Sequence, residues 1–497
     1  MPRSREWLCL AAIVAASLAL HAATLTRQSL FVDEASQLLQ ARGTLHEVAL
    51  RRDSMPPTYL LMLRGWVTAA GEGAHARWLS VLASLATIPV VWRIGRRAGG
   101  AAAIGVAAAA AFAALPMQLF YAQLVRGYAL TTLAAAMVIA AYLRAVDSGG
   151  RRDWALVSLC GIAGMWVHYY FAIVLLLLFV DLLLRAPARR TASPYVAAVA
   201  IVVGCLPLAP FLQADFQYQR DLRDPRPFDA GAAAYTALSW FSGYTLGPSK
   251  PELHQIGGAA AAAAAAPWLA AVAIAATPLL VFGARRLAAT RSARVIALLV
   301  LAPAPLLGLL GAASGITYNP RFVAWCVTPL SVWLGAGVVA GVAAGRWKRP
   351  VTLASTAVLV AVALFALYNR HAVSRYQNED LGGAAAWLAE HAEQGQTVFI
   401  LSDYLAPTLR LHAQIAGLRL PKVVELPAPG AVDTVADDRA DAEQAAAVVA
   451  NAPRPFWLIE CRTFHGDPRR LVHDALASTN RLTRATSFAG VVIWRGE

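Results

Sequence analysis

The stretch Phe31 to Leu63, FVDEASQLLQARGTLHEVALRRDSMPPTYLLML, sets an acidic pair and a double proline soon after a membrane-length apolar segment. That segment is 7–25, WLCLAAIVAASLALHAATL, which follows Arg3 and Arg5. At about 1.5 Å per residue it reaches across the roughly 30 Å of bilayer hydrocarbon. A signal peptide has the same basic start, but His21-Ala22-Ala23 is a poor cleavage site, so the segment is read as the first span. Asp33 and Glu34 then lie about two helical turns past its outer end, where a carboxylate can face a lipid headgroup. Such a pair also suits a helix N-terminus, where free N–H groups and the helix dipole favour negative charge.

The whole chain fits this start. Its 497 residues are 58% hydrophobic and 14% charged, and the mean hydropathy is +0.53, the balance of a polytopic membrane protein rather than a soluble domain. Further spans are expected at about 77–95, 100–119, 127–145, 154–168, 169–185, 194–213, 259–283, 294–314, 322–344 and 351–369, about eleven in all. The net charge of +14 does not indicate nucleic-acid binding, because residues 371–497 carry 12 basic and 15 acidic side chains and the positive excess lies in the membrane part. Alternate loops collect it: 3–5, 93–97, 144–152, 185–190, 285–294 and 346–349 hold 18 basic residues against Glu6, Asp147 and Asp153. By the positive-inside rule those loops and the N-terminus are cytoplasmic, and 26–76, 120–126, 214–258, 315–321 and 370–497 are outside. Asp181 is the acidic exception within a span, and Arg185 four residues on can pair with it near the cytoplasmic end. Five scattered cysteines, four of them in apolar segments, define no disulfide framework or metal spacing.

After about residue 370 the pattern changes to alternating strands and helices. Leu381–His391 reads as a helix, 397–403 as a strand, 405–416 as a helix, 422–426 as a strand, 438–450 as a helix, 455–460 as a strand, Pro468 onward as a helix and 490–494 as a strand. Residues 370–497 are therefore expected to form a small extracytoplasmic α/β domain above a transmembrane domain of 1–369. No glycine-rich fingerprint follows a strand, so no nucleotide site is assigned and the domain is read as a packed cap.

With charge displaced to one interface, chemistry is expected there. Beyond Asp33 and Glu34, the segment 53–59, DSMPPTY, stops one helix and starts another, which suits short interfacial helices. In 117–128, MQLFYAQLVRGY, Arg126 stands on the outer side against the charge trend, and Arg321 in 318–321, YNPR, repeats the arrangement. Either arginine could anchor in the aromatic belt. Two on one face favour a clamp on an anionic headgroup, because the guanidinium fork matches phosphate oxygens.

The order Asp33-Glu34, Pro56-Pro57-x-Tyr59-Leu60-Leu61, Arg77-x-Leu79, Gly95-Arg96-Arg97 and Tyr121-Ala122-Gln123-x-x-Arg126-x-Tyr128-Ala129-Leu130 resembles the GT-C glycosyltransferases. The likeness is to the bacterial relatives of protein O-mannosyltransferases and lipid A aminoarabinose transferases. It covers residues 26–145 best and continues more loosely through His168, the Arg321 segment and the outer C-terminal domain. The resemblance implies a hexosyl- or pentosyltransferase of the bacterial inner membrane. Such an enzyme moves a sugar from a polyprenyl-phosphate donor to a lipid, glycan or protein acceptor on the outer face. It implies Asp33 as the catalytic loop acid with Glu34 beside it, and Arg126, with Arg321, at the donor phosphate. Pro56, Pro57, Tyr59, Gln123, Tyr128, His168 and Tyr318 complete the expected substrate site. Met55 stands where many bacterial members have His, and Leu124 where many have an acid two before the arginine. Both departures remove ligands for a bridging divalent metal, so no metal ligand and no cofactor is assigned. A lipid-linked saccharide translocase, a polysaccharide polymerase or a catalytically silent assembly protein would share the spans and the outer arginines.

The charge alternation makes a direct prediction. A reporter active only outside the cytoplasm should be on when fused after Glu497 and off after Arg349; the reverse pattern would change the span count by an odd number.

Overall fold

The computed structural model describes residues 3–51, 55–185, 191–221, 228–315, 318–426 and 438–497. The expected break at 53–59 therefore lies partly outside the described residues, as do Arg189 and Arg190 of one basic loop.

Among the described residues, seven helices are long and apolar enough to cross a membrane: Ser4–Thr24, Gly73–Gly99, Tyr128–Ser148, Ser193–Gln217, Ala266–Ala288, Pro320–Ala343 and Lys348–Ala372. Two bent pairs, Ala102–Ala114 with Pro116–Ala122 (61°) and Ala293–Leu301 with Pro303–Ser314 (45°), raise the number to nine. Both bends fall at a proline, which lacks the N–H for the helical ladder and crowds the preceding turn. The expected count of eleven is not reached on these criteria. The difference lies in Arg151–Val167 and Tyr169–Leu183, which are separate helices parted at His168 and short for a span. The alanine-rich run also begins later than expected: Gly258–Ala264 is a short helix of its own, and the span starts at Ala266.

Small residues let the spans meet backbone to backbone, as packing without water between helices requires. A Cβ on Gly337 would lie 1.9 Å from the Leu279 carbonyl oxygen, and one on Gly335 would lie 2.5 Å from the Ala108 nitrogen. Asp181 is fully buried and satisfied by Arg185 (2.5 Å), Arg294 (2.8 Å) and the Tyr142 hydroxyl (2.6 Å).

The connection after the first span contains three short helices, Val32–Ala41, Leu45–Leu50 and Pro57–Ala70. Thr44 and Glu47 cap the second reciprocally, the Glu47 carboxylate accepting from the Thr44 N–H at 2.6 Å. Pro57 opens the third at a position where its missing N–H costs nothing.

In the C-terminal part, β1 (Thr397–Leu401), β2 (Lys422–Glu425), β3 (Phe456–Cys461), β4 (Leu482–Phe488) and β5 (Val491–Gly496) form one sheet in the order β2-β1-β3-β5-β4. β1 runs parallel to β2 and β3, while β5 is antiparallel to β3 and β4. Alternation along β1 places Val398 and Ile400 against Leu381–His391 and Ala406–Ile415, and Phe399 and Leu401 against Asp438–Ala450 and Leu471–Thr479. Helices cover both faces. β4, which the sequence reading left out, is an edge strand with apolar residues only near its ends.

This sheet unit docks on the connection that follows the first span. The His412 Nε2 lies 2.9 Å from the Leu30 carbonyl, the Gly382 N–H donates to Ser29 Oγ (3.2 Å), and Asn378 Nδ2 donates to the Ser29 carbonyl (3.1 Å). Beneath, Arg77 gathers the same loop. Its guanidinium donates to the carbonyls of Leu25 (2.7 Å), Gln28 (2.9 Å) and Ser29 (3.0 Å) and to both oxygens of Glu34 (2.8 Å each). Glu34 and Arg77 are 0% and 2% exposed. Arg77→Met would strand a buried carboxylate, a loss of about 3–5 kcal/mol, and should lower the unfolding temperature of the detergent-solubilised protein markedly; an unchanged temperature would remove this pair from the framework.

Candidate active site

Between one end of the spans and the C-terminal sheet unit lies a cavity of about 560 Å³. Asp33, in the first turn of Val32–Ala41, points into it with 36% of its side chain exposed. Arg126 Nη2 stands 3.7 Å and Arg321 Nη1 4.0 Å from Asp33 Oδ2. These separations are too long for direct hydrogen bonds. The carboxylate is thus held by charge while its oxygens stay open to another partner.

Each arginine is set by its own backbone. Arg126 lies in the turn between Pro116–Ala122 and Tyr128–Ser148, where Ser80 Oγ donates to the Leu124 carbonyl (2.6 Å) and the Val125 N–H donates to Glu34 Oε1 (3.0 Å). Its guanidinium lies 5.9 Å from the Tyr128 ring centre. Arg321 opens Pro320–Cys326, capped by Asn319, whose side-chain oxygen accepts from the Arg321 N–H at 3.1 Å. Tyr318 lines the same wall and shares a 2.7 Å hydrogen bond with Thr236.

Of the residues the sequence nominated, the structure brings Asp33, Arg126, Tyr128, Tyr318 and Arg321 to the cavity. The others sit behind it. Glu34 faces away from Asp33, its carboxylate taken up by Arg77 and the Val125 N–H behind the cavity wall. Pro56 and Pro57 start a helix, and Tyr59, 2% exposed, packs with Leu38 and Val125. Gln123 is turned to Thr24 Oγ1 (2.5 Å) on the first helix. His168 is buried between the Tyr128 and Phe322 rings, its Nδ1 accepting from the Tyr170 N–H (3.2 Å).

Three charged residues of the wall were not nominated, Lys250, Glu379 and Arg462, and on the same wall His465 packs with Phe464 and His254. Lys250 Nζ sits 4.9 Å from the Phe31 ring centre and 3.2 Å from Asn378 Oδ1. Burial pushes its amine down to about 8, against the pull of Glu379 and Asp33. The pattern Ser249-x-x-Glu252, a capping box, marks the helix that carries Lys250 and was its only local signal. Burial also works against the charged form of Asp33, but Arg126, Arg321, Arg462 and Lys250 outweigh it and hold the carboxyl below its ordinary value. The neighbours of Asp33 are thus cations, and no group of three His, Cys, Asp or Glu side chains gathers among the described residues. This donor set does not fit a divalent metal.

Residues 54–213 match the sequence family described as dolichyl-phosphate-mannose-protein mannosyltransferase. No curated protein matches the chain in sequence. In structure the chain is similar to ArnT from Cupriavidus metallidurans in its apo state, with a TM-score of 0.58 at 15% identity over 99% of this chain and 98% of that one. ArnT from the same organism bound to undecaprenyl phosphate gives 0.54 at 14% identity, over 98% of both chains. The apo oligosaccharyltransferase of Archaeoglobus fulgidus gives 0.56 at 10% identity, over 93% of this chain and 70% of that one. The resemblance read from residues 26–145 is borne out at the level of the fold, which the chain shares with ArnT over nearly its whole length.

The charge balance at Asp33 can be tested by pH. Removing one cation in Arg321→Gln lets burial raise the Asp33 pKa. If the base form of Asp33 is the active one, the acid limb of the kcat/KM profile for sugar transfer then moves to higher pH. A limb that stays in place would mean that Asp33 is not the titrating group.

Proposed function

We propose that the chain is a membrane glycosyltransferase that moves a sugar from a polyprenyl-phosphate donor to an acceptor hydroxyl. The carrying observation is one carboxylate, Asp33, flanked by Arg126 and Arg321 in a cavity large enough for a sugar phosphate. The similarity to ArnT solved with undecaprenyl phosphate supports the donor class. The wall formed by Ala232, Leu253, Ile256 and Ala261 is apolar and built partly of small side chains, which suits the first isoprene units of such a lipid.

In this reading Asp33 accepts the proton of the acceptor hydroxyl as its oxygen bonds to the anomeric carbon. The bond from that carbon to the phosphate oxygen breaks, and its electron pair leaves with polyprenyl phosphate. One base and attack opposite the leaving group give inversion of the anomeric centre. The phosphate goes from about one negative charge as a diester to nearly two as a monoester. Arg126, Arg321, Lys250 and Arg462 against Asp33 and Glu379 leave the cavity wall with a positive excess. The site therefore stabilises the departing phosphate more than the bound donor, which is the condition for catalysis. The charge bias of the loops supports a site on the outer face, with 1–369 as the membrane part and 370–497 as an extracytoplasmic domain. The sugar is a hexose or pentose, and the acceptor an envelope lipid, glycan or protein.

Asp33→Asn keeps the side-chain shape and removes the proton acceptor. Transfer should fall by at least about 100-fold, while donor affinity stays near wild type or tightens, because a carboxylate no longer repels the phosphate. A folded Asp33→Asn protein retaining more than about a tenth of the transfer rate would contradict a general base of this strength.

A further inference from the structure

The C-terminal sheet unit contributes more to the cavity than a cover. β1 and β3 are parallel neighbours, and the chain leaves each through a residue in the left-handed region, Ser402 (φ 74°) and Arg462 (φ 51°). Arginine is not among the residues that adopt this conformation readily, and strained backbone of this kind concentrates at binding sites. The turn is fixed from several sides. Ser402 Oγ donates to the Cys461 carbonyl (3.3 Å), the His465 and Gly466 N–H groups donate to the Arg462 carbonyl (2.9 and 3.2 Å), and a Cβ on Gly466 would collide with Ser402 Oγ. The carboxyl ends of parallel strands are also where open α/β sheets place their ligand loops.

The turn sends Arg462 into the same cavity that Asp33, Arg126 and Arg321 line. Its side chain is 13% exposed, and its Nε is buried with no hydrogen-bond partner among the described residues. Glu379 stands 3.7 Å away, near enough to offset charge and too far to close the guanidinium fork. A buried guanidinium whose Nε is unfilled is poised for an anion. Lys250, on the membrane part, faces the cavity beside Phe31 and reaches the same unit through Asn378.

We infer that Arg462 is a further phosphate-binding residue, so that the phosphate of the lipid donor is held between the membrane part and the C-terminal sheet unit. This rests on the polyprenyl-phosphate reading above. It makes docking of the sheet unit a condition for donor binding, with Glu379 as the counter-charge that keeps Arg462 in place before the lipid arrives.

The test measures binding of undecaprenyl phosphate and of undecaprenol, its uncharged alcohol, to the purified full chain and its variants. Wild type should prefer the phosphate. Arg462→Gln should lose roughly tenfold or more in affinity for the phosphate, the loss expected for a hydrogen bond to a charged group, with the alcohol unaffected. Arg410→Gln, at an exposed pair with Glu425 on the same sheet unit, should match wild type. If Arg462→Gln does not fold, Glu379→Gln decides: removing the competing carboxylate should tighten phosphate binding without changing the alcohol. Equal phosphate affinity in wild type and Arg462→Gln would overturn the inference and leave the donor reading standing, as would an equal loss for phosphate and alcohol. A wild type that does not prefer the phosphate would overturn the donor reading itself.

Discussion

Glu34 and Arg77 meet at the seam where the first span, the connection after it and the turn before Tyr128–Ser148 come together, and both are sealed from solvent. An ion pair in such a place is stable only when nearly every donor and acceptor is filled. Here the three carbonyls of Leu25, Gln28 and Ser29 and the N–H of Val125 complete it. The consequence reaches the cavity. Glu34 is next to Asp33 and its carboxylate is bound one residue before Arg126, so a single side chain sets the spacing between the open carboxylate and the arginine facing it.

The two neighbouring acids thus carry opposite assignments, decided by environment. Glu34 has its charge neutralised at hydrogen-bond distance and has no surface left for a substrate. Asp33 has its charge stabilised from farther away by four cations, which keeps it ionised without filling its oxygens. A base needs that combination of charge and access. In the proposed reaction the same cations would serve the leaving phosphate, since a field that holds one carboxylate among four positive groups also favours the growth of a second negative charge beside it.

The sequence was most readable where membrane physics acts on it. Charge is rare in the spans and sorted between the two faces, so Arg126 and Arg321 on the outer side stood out, and Asp33 with them; Tyr128 and Tyr318 followed as their neighbours. Adjacency could not separate Asp33 from Glu34, because the difference arises from Arg77, more than 40 residues away. Glu379 and Arg462 reach the cavity only through the docking of the sheet unit on the loop that carries Asp33, and Lys250 comes from a separate connection between spans; tertiary arrangements of that kind leave no local period to read. The span count failed for a related reason. Residues 151–183 are apolar enough for two spans, yet the break at His168 leaves both helices short, and β4 escaped because an edge strand exposed along its middle has little apolar pattern.

In the proposed reaction the cavity breaks the bond between a sugar and a polyprenyl phosphate. The most direct test is to incubate the purified protein in vesicles with a panel of labelled polyprenyl-phosphate sugars and an envelope extract supplying acceptors. The account predicts that one donor is consumed, that free polyprenyl phosphate appears in step with the labelled product, and that the anomeric configuration is inverted. A donor that crosses the bilayer with its sugar still attached, or a panel that remains intact with folded protein, would contradict it.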